Sequence, residues 1–348
     1  MDSEEINASA ESRHHFRELM AIGLIASLVG IGLGLLIDWF PTQGSTQAET
    51  VDTVWDVLII FSVPVFVLVM VVVLYCVWRY RMKPGEELKD GPPIHGNTRL
   101  EIIWTAIPAI LLVALCSYSY VALTDIEEAK SDALNVRVVG EQFTWTFYYK
   151  DASGKEFGSP QLYVPRDRPV HFTVQSLDVI HDFWVPAFRM KIDAVPGVDT
   201  ELQITPKRNG EYPVICAELC GLGHAAMRQT AHVVDPPTFD DWLAKQSAGG
   251  APGGGGGGPA PDGKTVFTDA GCGGCHELAD AGTTGGTGPN LDEGLKGKDP
   301  AFIEQSIVDP SANVTQGFSD GIMPGNFGQT LKPDELDALV KYLARVTK

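Results

Sequence analysis

Residues 214 to 227 read VICAELCGLGHAAM, which places Cys216, Glu218, Cys220, His224 and Met227 in one short run. Thiols spaced C-x-x-x-C can close a disulfide, and thiols with imidazoles can hold zinc. Zinc has little use for a thioether, however, and Met227 follows Cys220 by seven positions, while His181 in DVIHDFWVP offers a second imidazole from an earlier loop. Copper is softer and accepts thiolate, imidazole and thioether alike. A mononuclear blue-copper site uses a single thiolate, so the second cysteine needs another role. Two thiolates can bridge two copper ions, each capped by one histidine, with Met227 a weak axial ligand to one and a backbone carbonyl to the other. A shared pair of this kind spreads one electron over both metals, which suits electron transfer and leaves no open position for a substrate. On spacing alone, the disulfide and zinc readings stand beside the copper one.

A second sulfur-rich stretch, CGGCH at 272 to 276, has a direct chemical reason. The two thiols of C-x-x-C-H can add to the two vinyl groups of haem, and the adjoining histidine then falls beneath the iron. A redox dithiol would need a βαβ context that the surrounding sequence lacks, and half a zinc site is the other competitor. From His276 to Lys348 there is no further histidine and one methionine, Met323 in GIMPGNF. Elimination therefore points to Met323 as the sixth iron ligand, against an open position or a lysine.

These residues must be held by something, and the chain supplies three kinds of text. Near the start stand three uncharged apolar runs, Leu19 to Ile37, Val57 to Trp78 and Ile102 to Leu123. Each is close to the roughly 20 residues of helix that cross a bilayer core. Arg13 and Arg17 precede the first; none of the residues 38 to 56 is basic; Arg79, Arg81, Lys83, Lys89 and Arg99 lie between the second and third. The positive-inside rule makes the tail and second loop cytoplasmic and puts everything after Leu123 outside. The first run reads as a retained span, the alternative being a signal sequence cleaved after Ala48, and its core is long for a signal.

From Asn135 the text alternates, as in NVRVVGEQFTWTFYY, PVHFTVQS and ELQITP, separated by Gly, Pro and Asp turns, which predicts a Greek-key β-sandwich. APGGGGGGPAP at 251 to 261 cannot hold a fixed fold and reads as a tether. Residues 262 to 348 then read as a small helical domain ending in PDELDALVKYLARV, with Leu336, Leu339, Val340 and Leu343 on one face. The expected division is a tail and extra span over 1–50, a helical hairpin over 51–125, a copper domain over 126–248, a linker over 249–261 and a haem domain over 262–348. The fold class is thus a multi-domain membrane protein: transmembrane helices, a cupredoxin-like β-sandwich and an all-α C-terminal domain.

Composition narrows the function classes. A net charge of −18 argues against nucleic acid as a partner. Cys76 and Cys116 lie in apolar runs and read as inert filler. The haem domain carries 7 Lys and Arg against 13 Asp and Glu, so it lacks the basic steering of a freely diffusing donor. A tether of 13 residues spans about 20 Å, at about 5–6 Å times the square root of its length, and makes such steering unnecessary. Its effective concentration is in the millimolar range.

On these motifs two resemblances can be named. The stretch 262 to 348, with CGGCH, TGPNL and MP, resembles class I cytochrome c. This implies about four helices around a covalently bound haem c, with the Pro289 carbonyl supporting His276. CAELCGLGHAAM, with LEIIWTAIPAI, DVIHDFWVP and KIDAVPG, resembles the copper A subunit II of cytochrome c oxidase from about Val51 to Trp242. Carried over by position, the resemblance implies a dinuclear copper centre held by His181, Cys216, Glu218 through its carbonyl, Cys220, His224 and Met227. It implies magnesium on the Glu218 carboxylate at the subunit I contact, and a proton-uptake role for Glu101, whose ordinary reading is an acid at a helix N-terminus.

The resemblance further implies subunit I and other oxidase subunits as partners in a bacterial plasma membrane, copper and haem domains on the outer face. A quinol-oxidising cytochrome bc complex or a cytochrome c would stand upstream. The oxygen-reducing site would lie in subunit I, so no catalytic residue is expected here. Where many members present a tryptophan for electron input, EQFTW carries Phe143 with Trp145 two positions on, and both read as sandwich aromatics. A nitrous-oxide-reducing enzyme would need a histidine-rich cluster that 8 histidines spread over the chain do not supply. A membrane-anchored copper carrier or redox sensor would release its copper readily to chelators, unlike a buried bridged pair.

Overall fold

In the computed structural model the described residues are 3–82, 84–85, 95–128, 130, 132–248 and 262–348. Lys83, Lys89 and the tether over 249–261 lie outside them. The chain forms two units, residues 1–39 with 50–126, and residues 40–49 with 127–348.

The first unit is built on helices α1 (Ser3–Leu36), α2 (Thr46–Tyr80) and α3 (Thr98–Ile126). All three are long and apolar enough to cross a membrane, over His14–Leu36, Thr46–Tyr80 and Thr98–Ile126. They outrun the apolar runs because polar ends can stay helical beyond the hydrocarbon. Pro64 and Pro108 sit inside α2 and α3, a placement that membrane helices tolerate. Gly30 and Gly34, one turn apart on α1, let the helix approach α2 closely. A Cβ on them would lie 2.8 Å from Val63 Cγ1 and 2.7 Å from Ile59 Cγ2, the small-residue contact by which helices pack in lipid.

In the second unit, ten strands make two five-stranded sheets. The first orders β3 (Glu156–Ser159), β2 (Thr144–Lys150), β1 (Leu134–Glu141), β5 (Val170–Ser176) and β8 (Thr200–Ile204). The second orders β4 (Leu162–Pro165), β10 (Arg228–Val234), β9 (Gly210–Cys216), β6 (His181–Trp184) and β7 (Lys191–Ala194). Alternation explains the inner faces: along β5, Val170, Phe172 and Val174 are buried while the residues between them are only partly so. Parallel pairing of β1 with β5 and of β4 with β10 marks the crossovers of a Greek-key sandwich. The sequence did not reveal that residues 40–49 belong here. Ser45 is buried, its hydroxyl donates to the Phe188 carbonyl at 3.0 Å, and it bridges Pro206. Ala48, the residue before the alternative cleavage point, is fully buried in the first turn of α2.

After α4 (Pro236–Ala248) and the tether comes the helical domain. It contains α5 (Gly263–Asp269), a short ladder of β11 (Glu277–Leu278) with β12 (Thr283–Thr284), α6 (Leu291–Gly294), α7 (Pro300–Val308), α8 (Phe327–Thr330) and α9 (Pro333–Val346). The fold thus has five α-helical segments where about four were expected, two of them single turns. Helix α9 buries Leu339, Val340, Tyr342 and Leu343 against Val266, Phe267 and Ile303. Gly263 makes the approach possible, because a Cβ there would meet the Ala338 carbonyl oxygen at 2.2 Å.

Candidate functional site

Strand ends assemble the sulfur cluster. Cys216 is the last residue of β9 and pairs with Phe183 of β6, and His181 begins β6 on the same face as Phe183, two residues away. The β9–β10 loop is closed by the Cys216 N–H donating to the Met227 carbonyl at 3.2 Å. The loop therefore returns with Met227 beside the thiols just before β10 starts. His224 enters from a single 3-10 turn over His224–Ala226 within that loop.

The donor atoms converge. Cys216 Sγ is 4.0 Å from His181 Nδ1, 3.1 Å from the Glu218 carbonyl oxygen and 3.8 Å from Cys220 Sγ. Cys220 Sγ lies 3.6 Å from His224 Nδ1 and 3.8 Å from Met227 Sδ. Both thiols are free, and 3.8 Å is nearly twice the ~2.05 Å of a disulfide bond. His181 and Met227 have no solvent exposure, and Cys216 and Cys220 are buried. All six residues read from the sequence contribute an atom here, Glu218 through its backbone, while its carboxylate is exposed. Among the described residues that carboxylate joins no cluster of three metal-donor side chains.

Electrostatics within the cluster are uneven. Burial opposes charge on Cys216, but hydrogen bonds to His181 and to nearby backbone groups carry its pKa below the ordinary thiol value. Burial and the neighbouring sulfur drive Cys220 up. The pair therefore parts with one proton easily and holds the second, unless a cation takes its place between the sulfurs.

Two supporting residues were not foreseen. Asp178 accepts from His181 Nε2 at 2.8 Å and from the Gln142 and Val179 N–H groups at 2.7 and 2.6 Å. Burial works against its charge, and these bonds nevertheless hold its carboxyl below the usual range. With Nε2 engaged, the His181 ring is fixed with Nδ1 toward the sulfurs, the orienting role that outer carboxylates play for metal-bound imidazoles. Gln142 donates its side-chain amide to the Cys220 carbonyl at 2.5 Å. An acid three residues before a histidine, as in DVIH, was the available signal for Asp178.

Trp145 is a core aromatic with its ring 5.9 Å from that of His181, and Phe143 is buried against Gly221 and Gly223 of the β9–β10 loop. A Cβ on Gly223 would come within 2.4 Å of the Phe143 ring. On α3, Glu101 accepts from the Asn97 N–H at 3.1 Å while Asn97 Oδ1 accepts from the Leu100 N–H, so the acid completes a helix cap.

In the helical domain, Cys272, Cys275, His276 and Met323 all line one cavity of about 490 Å³, within the ~300–1,000 Å³ span of cofactor pockets. Its walls include Leu295, Phe302, Ile303 and Leu339. The His276 Nδ1–H donates to the Pro289 carbonyl at 2.8 Å, leaving Nε2 as the available donor atom. Burial lowers the His276 pKa despite that bond, so the ring is held neutral. Gly288 gives it room, since a Cβ there would lie 2.6 Å from His276 Cε1. Burial pushes Cys272 up to about 12 and raises Cys275 as well. Thiols kept protonated in an apolar wall suit thioether formation and are poor zinc thiolates. Soft donors at one centre, and thiols, imidazole and thioether around a large apolar cavity at the other, fit copper and haem c.

Three family descriptions match the chain. Cytochrome c oxidase subunit II, transmembrane domain, matches residues 15–121. Cytochrome c oxidase subunit II, periplasmic domain, matches 159–234, and cytochrome c matches 260–347. Cytochrome c oxidase subunit 2 of Synechocystis sp. is 32% identical over 72% of this chain and 87% of its own. The subunit 2 of Alkalihalophilus pseudofirmus is 31% identical over 82% of this chain and 83% of its own. The crystal structure of the periplasmic domain of subunit II of cytochrome oxidase of Bradyrhizobium japonicum is 30% identical, covers 34% of this chain and 97% of that one, and superposes with a TM-score of 0.33. The N-terminal helices are accordingly transmembrane and the β-sandwich lies on the periplasmic side. With its sulfur cluster on the sandwich and a haem-type cavity beyond the tether, this chain belongs to the cytochrome c oxidase subunit II family, as a member with a C-terminal cytochrome c domain and an electron-transfer role in the oxidase.

Proposed function

We propose that the chain feeds electrons into a haem-copper terminal oxidase of a bacterial plasma membrane, from its own c-type haem through a dinuclear copper A centre to subunit I, where oxygen is reduced to water coupled to proton translocation. When bound, the haem and the copper pair supply one-electron redox carriers in series. A quinol-oxidising cytochrome bc complex or a cytochrome c stands upstream, and subunit I with other oxidase subunits completes the assembly. The observation that carries the reading is the pair of buried, unbonded sulfurs 3.8 Å apart with imidazole, thioether and carbonyl donors around them.

In this reading Cys216, Cys220, His181, His224, Met227 and the Glu218 carbonyl would hold the copper pair, which would supply a one-electron carrier. Cys272 and Cys275 would hold the haem covalently, and His276 and Met323 would supply ligands to its iron. Burial of Cys216, Cys220, His181 and Met227 keeps water from the sulfurs. A magnesium ion at Glu218 would need its remaining ligands from subunit I.

Asp178 is a positioning residue here. Its replacement by alanine is expected to weaken copper retention about 10–100-fold, as losses of an outer-shell partner do. Competition with a copper chelator measures it, and unchanged retention would remove the carboxylate from this role.

The full-length protein tests the assignment as a whole. One haem and two coppers per chain are expected by metal analysis, with a paramagnetic resonance spectrum of one electron shared by two coppers. A mononuclear copper spectrum, or zinc, would overturn it.

A further inference from the structure

Within the second unit the haem domain does not stand apart from the sandwich. The loop between its two cysteines faces the copper loop: a Cβ on Gly274 would lie 3.3 Å from the Ala226 carbonyl oxygen, and one on Gly271 3.3 Å from Gln229 Nε2. Ala226, Arg228, Gln229, Phe143 and Thr144 line the same cavity as Cys272 and Cys275. Ile322, beside Met323, packs on the sandwich core.

Around this contact lie two polar pairs on separate elements. Asn326, which caps α8, donates its amide to Glu141 at the end of β1 at 3.2 Å. Lys332, which caps α9, donates to the Gln246 side-chain oxygen of α4 at 2.6 Å. These two bonds and the close approach of Gly274 to Ala226 fix both position and rotation. The Asn326 Oδ1 atom is buried without a partner, so the Nδ2 bond to Glu141 is the one that offsets the cost of sealing this amide away from water.

Each pair matches one charged side chain with one uncharged amide, so neither is an ion pair. Charge cannot be what draws the domains together. The haem domain has 7 Lys and Arg against 13 Asp and Glu, and residues 127–248 have 12 against 17. Two acidic bodies repel, and raising the salt concentration screens that repulsion.

Resting on the electron-transfer reading above, we propose that the haem domain seats on the copper domain in one register set by the Glu141–Asn326 and Gln246–Lys332 hydrogen bonds, and that this salt-tolerant contact fills the copper-loop face at Ala226–Gln229 with the chain's own haem domain, closing it to a separate diffusing cytochrome. The step so served moves one electron, oxidising ferrous haem iron to ferric and reducing the copper pair by the same electron, with no bond or proton changing place. The upstream donor must then reach the haem domain on a face turned away from the sandwich.

The test uses the metal-loaded full-length chain and the pair whose chemistry can be exchanged. Asn326→Asp sets a carboxylate against Glu141. It is expected to raise amide hydrogen exchange at 226–229 and 271–275 at least tenfold, and to slow haem-to-copper electron transfer by a similar factor. Adding Glu141→Gln restores a donor opposite the new acceptor and should return both readings. Protection in the unaltered chain should persist as salt is raised. Unchanged exchange in Asn326→Asp, failure of the exchanged pair to rescue it, or loss of protection at high salt would each overturn the proposal. Metal content separates this outcome from the reading beneath it: a chain without one haem and two coppers refutes the function, whereas a fully loaded chain indifferent to the exchange refutes only the docking register.

Discussion

Replacing Cys220 by serine is expected to take the copper content from two per chain to at most one and to abolish the shared-electron signal. Cys220 Sγ is the hub of the cluster, within 3.8 Å of Cys216 Sγ, His224 Nδ1 and Met227 Sδ. A hydroxyl is harder and smaller, and it cannot supply the soft bridging charge that two coppers need. The loss in copper affinity should exceed the ~10–100-fold that removal of an outer-shell partner brings, and delivery of electrons to the oxidase should fall with it. The sandwich itself should survive. Its core holds Trp145, Phe147, Phe172 and Phe183 independently of the loop, and a buried hydroxyl left without a partner costs only about 1–3 kcal/mol. Copper analysis, paramagnetic resonance and circular dichroism of the variant report the three effects separately, and haem content should stay at one per chain. Two coppers and an unaltered spectrum in the serine variant would show that the sulfurs do not bridge.

Met323→Ala is the complementary experiment, since it strikes the haem and should spare the copper. Met323 shares the cavity with His276, Cys272 and Cys275, and a methionine opposite histidine raises the potential of a c-type haem. Without it the iron has an open or water-filled position. Each ~59 mV by which the potential falls makes reduction by the upstream donor tenfold less favourable, so throughput into copper should drop by at least that factor. Covalent attachment through Cys272 and Cys275 is unaffected, so haem content should not change. The haem absorption spectrum, its potential and the copper signal are the three readings. An unchanged haem spectrum would mean that Met323 is not the ligand. Loss of the copper signal would show that the two centres depend on one another for assembly.

Both variants test residues legible in the sequence, because their chemistry is written in local spacing. C-x-x-C-H places two thiols and an imidazole within one turn whatever the rest of the chain does. In the copper loop five donors, counting the Glu218 carbonyl, fall within twelve residues, so only His181 had to be brought from elsewhere. The three spans were legible because a bilayer demands an uninterrupted apolar length, and the strands because one face of each must alternate.

Other parts were not legible because they depend on neighbours distant in the chain. Asp178 is near His181 in sequence, but its role depends on the β5–β6 turn directing the carboxylate at Nε2. Gln142 reaches a carbonyl 78 residues away. Residues 40–49 carry no motif, and what ties them to the second unit is tertiary: Ser45 buried against Phe188 and Pro206, and backbone bonds of Gly44 with Ala187 and Lys207.

By itself the sequence determined which atoms are available: soft donors in a set that copper accepts, a haem-attachment pentapeptide and three spans. The tertiary structure decided where those atoms stand. Pairing of β6 with β9 brings His181 to Cys216, and the return into β10 leaves the sulfurs near each other but unbonded. Docking of the haem domain turns the CGGC loop toward Ala226. Spacing along a chain constrains only neighbours within a turn or two, whereas strand register and domain contact follow from the burial of whole faces, which no short motif encodes.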